Sequence, residues 1–127
     1  MDENTVIEYQ RTIMRLKLEK FISYNLFMDY NPDIRGDVII YGAGQIGKLL
    51  FRCFDRRPIA FIDAKHGLSD ICGVPVYCVD TCTDRQITND CTVIVTPIWA
   101  YESIGQKVMQ INSLANIISL EKLVEKL

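Results

Sequence analysis

The chain has one histidine, no C-x-x-C pair among its five cysteines, and no excess of basic side chains. A single histidine, His66, leaves little material for imidazole acid/base chemistry, and a histidine in a polar loop is expected to be solvated rather than catalytic. The odd set of Cys53, Cys72, Cys78, Cys82 and Cys91 reads as free thiols in a reducing cytoplasm. Cys78 and Cys82 lie four positions apart, but His66 is the only further soft ligand nearby, so no metal site is expected. The net charge of −2 gives no electrostatic case for nucleic acid or an anionic membrane as partner. No stretch approaches about 18 uninterrupted apolar residues, so no membrane span is expected. The start, Met1-Asp2-Glu3-Asn4, lacks the basic head and apolar centre of a signal peptide. Internal repeats and low-complexity segments are also missing. What remains, 49% hydrophobic and 24% charged in 127 residues, suits one domain with a continuous core.

The most informative stretch runs from Asp37 to Gly47, D-V-I-I-Y-G-A-G-Q-I-G. An apolar run, Val38-Ile39-Ile40-Tyr41, leads into Gly42, Gly44 and Gly47, spaced G-x-G-x-x-G, and a helix-forming segment follows to Phe54. Strand, glycine turn and helix in that order form the context of a phosphate-binding loop. Gly42 permits the tight turn, Gly44 admits a pyrophosphate to the backbone, and Gly47 lets helix and strand pack closely. The intervening Ala43, Gln45 and Ile46 complete the candidate binding loop, whose helix end offers free N–H groups to phosphate. A second buried strand, Ile59-Ala60-Phe61-Ile62, ends at Asp63, 21 positions after Gly42. An acid there accepts hydrogen bonds from ribose hydroxyls and repels a 2′-phosphate, which favours NAD over NADP.

Ahead of this, Thr5-Val6-Ile7-Glu8 has the form of a capping box with Thr5 as N-cap, opening a long apolar helix to about Met28. Such a helix packs on its own core, on a twin chain or on a separate catalytic partner, through residues 5–28. Asn31-Pro32-Asp33 and Gly36 then break the chain, giving an N-terminal helical segment over 1–30 and a nucleotide-binding domain over 37–127. Beyond Asp63, residues 64–73 read as a polar loop and Val74–Val79 as a third strand. A brief helix is expected from Asp80 to Gln86, then a fourth strand over Cys91–Thr96 stopped by Pro97. Tyr101–Ile111 reads as a helix, Ala115–Ser119 as a fifth strand and Leu120–Leu127 as a closing helix. Alternating strands and helices imply an α/β fold: a Rossmann-like, three-layer parallel sheet of about five strands in the order 3-2-1-4-5, with a crevice at the carboxyl ends of strands one and four. Thr96 and Trp99 fall at that crevice.

Chemistry beyond binding is thin. Tyr101 has Gly105, not lysine, four residues on, so the Tyr-x-x-x-Lys pair of short-chain dehydrogenases is absent. Ile46 stands where the tighter G-x-G-x-G loop of S-adenosylmethionine binders has its last glycine. No acid/base pair assembles, so catalytic residues are not assigned, and the chain alone is not expected to be a complete enzyme.

Val38–Lys48, Ile59–Asp63 and Ile71-Cys-Gly-Val-Pro-Val76 together resemble the Rossmann modules of bacterial polysaccharide-biosynthesis enzymes. Two groups are similar: the NAD-binding module of membrane-anchored nucleotide-sugar 4,6-dehydratases, and the N-terminal nucleotide-sugar-binding module of sugar acyltransferases with a left-handed β-helix. The resemblance covers roughly Asp37 to Leu120. It implies a phosphate-binding loop at Gly42–Gly47, a ligand-contacting acid at Asp63, and NAD or a nucleotide-sugar as ligand in surface-sugar metabolism. Neither a dehydratase domain nor a β-helix follows, so the resemblance implies ligand binding and not activity. The alternative function is an interaction module that dimerises or docks through its N-terminal helix.

Overall fold

The short apolar runs bounded by turn formers become five parallel strands in a computed structural model that describes residues 2–125. They are β1 (Val38–Tyr41), β2 (Ala60–Asp63), β3 (Val76–Cys78), β4 (Thr92–Val95) and β5 (Asn116–Ser119). The sheet order is β3-β2-β1-β4-β5, with β1 central and paired in parallel to both β2 and β4. Chain direction reverses its spread between β1 and β4, which makes the crevice beyond their carboxyl ends the topological switch point. The expected α/β architecture and strand order are therefore those observed.

Side-chain alternation along each strand divides the core in two. Val38, Ile40, Phe61, Ile94 and Ile118 face one layer, made by α1 (Glu3–Ser23), α2 (Gln45–Phe51) and α4 (Leu120–Val124). Ile39, Tyr41, Ile62, Val93 and Val95 face the other, made by α3 (Tyr101–Ile111) and the connection carrying Val79 and Ile87. Within the first layer Phe51 stacks on Phe61, with ring centroids 5.7 Å apart.

α1 belongs to this core. Met14, Leu18 and Phe21, on one helical stripe, are buried in the same cluster as Ile40 and Phe61. Burying a side chain of that size is worth roughly 1.5–3 kcal/mol. Three of them match a large part of the whole margin of a small domain, about 5–15 kcal/mol. Lys17 adds a tie to α4, its Nζ donating to the Val124 carbonyl at 3.3 Å. Of the packings expected for the helix, that on its own core is observed.

Several boundaries differ from the sequence expectation. The N-cap is Asp2, not Thr5: the Asp2 carboxylate accepts both the Thr5 N–H at 2.8 Å and its hydroxyl at 3.0 Å, while Glu8 pairs with Arg11. Aspartate in that position also meets the positive end of the helix dipole. The helix stops at Ser23, short of Met28, because Asn25 adopts φ 54° and closes a Schellman turn, with Leu26 N–H bonded to the Phe21 carbonyl and Asn25 N–H to that of Ile22. Met28 then turns inward and is buried, its N–H on the Cys53 carbonyl at 2.8 Å. The helix expected over Asp80–Gln86 is a 3₁₀ turn, Val79–Thr81, followed by a turn in which the Gln86 side chain takes the Thr83 N–H. That side-chain acceptor supplies locally what a helix would supply through its backbone. The closing helix is seen as far as Val124; the expectation for 126–127 lies outside the described residues. Among the described residues, no helix is long and apolar enough to cross a membrane.

Candidate functional site

Gly42 leaves β1 at φ +106°, a region closed to most L-residues, and a Cβ there would sit 2.2 Å from Thr96 Oγ1. Thr96 is buried, donating its hydroxyl to the Tyr41 carbonyl at 2.8 Å, so it fixes the end of β1 rather than offering a free hydroxyl. A Cβ on Gly47 would lie 1.9 Å from the Gly42 carbonyl oxygen, which is the close helix–strand approach expected of the third glycine. Gly44 differs: a Cβ there meets nothing within 4 Å. Its side of the loop is open, and a side chain there would project into free space.

α2 begins at Gln45, three residues earlier than the apolar pattern suggests, so Gln45, Ile46 and Gly47 form its first turn. First-turn N–H groups have no carbonyl of their own helix to bond. Gly44 is the N-cap and makes no side-chain cap bond. The helix is only seven residues long, so its dipole adds little, and the donors themselves are the useful feature.

Asp63 stands beside this loop, half-buried at the end of β2. Its Oδ2 accepts the Ala43 N–H and its Oδ1 the Lys65 N–H, each at 2.9 Å. Each carboxylate oxygen retains acceptor capacity after one such bond. The acid thus holds the glycine loop in place. Below it, Tyr41 is buried, and its hydroxyl is pushed up from the ordinary value, first by burial and then by the charges of Asp63, Asp80, Cys78 and Cys82.

Gly42, Gly44, Gln45, Ile46, Gly47, Asp63 and Thr96 all border one cleft of about 350 Å³, joined by Pro97, Trp99 and Arg11. Such a volume lies at the low end of small-molecule sites, roughly 300–1,000 Å³. Ala43 does not border it; its part is the hydrogen bond to Asp63. Trp99 lies half-exposed on the cleft rim, and a wider groove of about 610 Å³ continues beyond it along Gln106, Ser119 and Glu121. Arg11 comes from α1. Its guanidinium lies 5.1 Å from the Trp99 ring centroid and 2.6 Å from Glu8. From the sequence it reads as a solvent-facing charge of α1, and only the packing of α1 over α2 carries it to the cleft. No local signal marks that role.

Tyr101 is tied elsewhere, its hydroxyl donating to the Ile117 carbonyl at 3.2 Å. His66 lies apart from the glycine loop's cleft and beside Cys78 and Asp80. All five cysteines are free thiols; Cys53 and Cys91 are buried. Compared with known protein families, curated proteins and solved structures, the chain matches none.

Proposed function

We propose that this protein binds the diphosphate of a nucleotide, NAD or a nucleotide-sugar, at the Gly42–Gly47 loop. The observation that carries the reading is the meeting in one cleft of a side-chain-free approach at Gly44, first-turn N–H donors, the Arg11 guanidinium and the Asp63 carboxylate. Donors and a guanidinium suit phosphate oxygens, and a carboxylate suits ribose hydroxyls. Asp63 disfavours a 2′-phosphate, so NAD is the expected dinucleotide. With a nucleotide-sugar, the diphosphate takes the same donors and the sugar extends along the groove past Trp99. The resemblance to polysaccharide-biosynthesis modules supports a role in bacterial surface-sugar metabolism, and five free thiols suit a reducing cytoplasm. Without an acid/base pair in the cleft, the domain presents its ligand to a separate catalytic partner. Mass spectrometry of small molecules released by denaturing the freshly purified protein tests the reading. A dinucleotide or sugar nucleotide near one per chain supports it; a different class of ligand held in that cleft contradicts it.

A second reading rests on exposed apolar residues where α1 ends. Tyr24, Leu26, Phe27 and Tyr30 are 64%, 47%, 40% and 80% exposed beside an apolar cleft of about 440 Å³. In this reading a second copy covers them. Because α1 is part of the core, the test is Leu26→Ser with Phe27→Ser and not removal of the helix. Light scattering should show a dimer lost in the double variant; a monomeric parent chain removes this reading.

A further inference from the structure

The register of β2 and β3 sets Asp63 opposite Cys78, and the chain on either side folds two more ligand-type groups onto the same spot. His66 follows Asp63 in the loop after β2, and Asp80 lies in the 3₁₀ turn directly after β3. His66 Nε2 is 3.5 Å from Cys78 Sγ and 3.3 Å from Asp80 Oδ2, and the three ligand atoms lie within 4.8 Å of one another. A tetrahedral centre with bonds of about 2.0–2.3 Å has ligand–ligand edges of about 3.3–3.8 Å, and the 3.5 Å and 3.3 Å separations fall in that range.

We propose that His66, Cys78 and Asp80 form a zinc site, with water as the fourth ligand. The donor set is one imidazole nitrogen, one thiolate sulfur and one carboxylate oxygen, the three types that zinc accepts together. Thiolate and carboxylate carry two negative charges between them and balance Zn²⁺. On binding, Cys78 releases its thiol proton to solvent and the sulfur forms its bond to the metal, with no change of oxidation state.

The fold supplies a reason for a tie at this place. No helix covers the connection between β2 and β3, and β3 is a three-residue edge strand that is nowhere fully buried. Metal bonds from the loop to the end of β3 and the turn beyond it would hold these three segments together. One of them begins directly after Asp63, so the tie also steadies the acid beside the glycine loop. The inference does not depend on a nucleotide binding there.

Cobalt(II) titration of the purified full-length chain, kept reduced, tests the site directly. The expected result is a sulfur-to-cobalt charge-transfer band with tetrahedral d–d absorption, saturating at one equivalent and displaced by Zn²⁺. Cys78→Ser should abolish the charge-transfer band. His66→Asn, at an exposed position that leaves folding intact, should weaken cobalt binding by at least about 100-fold, since losing even an outer-shell partner costs about 10–100-fold. Cys72→Asn serves as the control. Cys72 is exposed at φ 54° and precedes Gly73 at φ 81° in a tight turn that suits Asn-Gly, so this variant should fold and keep the band. Zn²⁺ should raise the melting temperature of the parent chain and not that of His66→Asn. Lack of a band with cobalt in excess, a band that survives in folded Cys78→Ser, or a zinc shift unchanged in His66→Asn would overturn the proposal.

Discussion

The Asp63 carboxylate accepts the backbone N–H of Ala43 at 2.9 Å, joining the end of β2 to the middle of the glycine loop. The acid that the dinucleotide fingerprint assigns to a ribose is thereby a structural element of the loop itself. Hydrogen bonds to a charged partner contribute about 1.5–3 kcal/mol. Asp63→Ala removes two of them in a half-buried place. It should lower unfolding stability by roughly 2–4 kcal/mol in urea titrations, allowing for water reaching the freed N–H groups. A variant as stable as the parent would show the bonds to be incidental.

Two glycines of the loop should separate cleanly. At Gly47 the added methyl meets the Gly42 carbonyl at 1.9 Å, a backbone atom that cannot yield without moving β1. Gly47→Ala should cost at least about 2–3 kcal/mol, the scale of overpacking in a tight core. Gly44→Ala meets nothing within 4 Å and should change stability by about 1 kcal/mol or less, through the cap alone. Thermal unfolding of the pair checks the contrast; equal losses would contradict the geometry.

These particulars show which parts of the fold are legible in a sequence. Val38–Gly47 and the buried run ending at Asp63 announce themselves because strand, turn and close approach are local properties of consecutive residues. The parallel order follows from alternation and handed crossovers. Helix ends are less legible: Asp2 and Thr5 are both good caps, and Asn25 stops α1 by one left-handed residue inside a pattern that otherwise continues. Arg11 reaches the cleft, and His66 meets Asp80, only through tertiary packing, which no spacing along the chain encodes.

Arg11 is exposed, so its removal should leave the fold almost unchanged. Its stacking on Trp99 at 5.1 Å is worth about 0.5–1 kcal/mol at such a site. Arg11→Gln should nevertheless weaken nucleoside-diphosphate binding several-fold and flatten its dependence on salt, because one positive charge facing the phosphates is lost. Calorimetric titrations at two salt concentrations read both quantities. Unchanged affinity would remove Arg11 from the site.

Burial pushes the Cys53 thiol up to about 12 from an ordinary 9.0, and moves Cys91 and Cys82 in the same direction. A folded value above the unfolded one means that the folded state holds its proton longer. The contribution is whole below about pH 9 and is lost as pH climbs from there towards 12. Urea midpoints should therefore fall with rising pH across this window, and less steeply in Cys53→Ala, which has no thiol to ionise there. Parallel slopes would assign the alkaline loss to other groups.

Amide NMR of the full-length chain would reveal a nucleotide diphosphate seated on the Gly42–Gly47 loop. Titration with NAD and, separately, with a UDP-sugar should shift the amides of Gly44, Gln45, Ile46 and Gly47, together with those flanking Asp63. Gly44→Val should suppress the shifts while the rest of the spectrum stays folded. Absence of any shift at millimolar ligand, or shifts confined to residues away from the loop, would show that the loop does not hold a nucleotide.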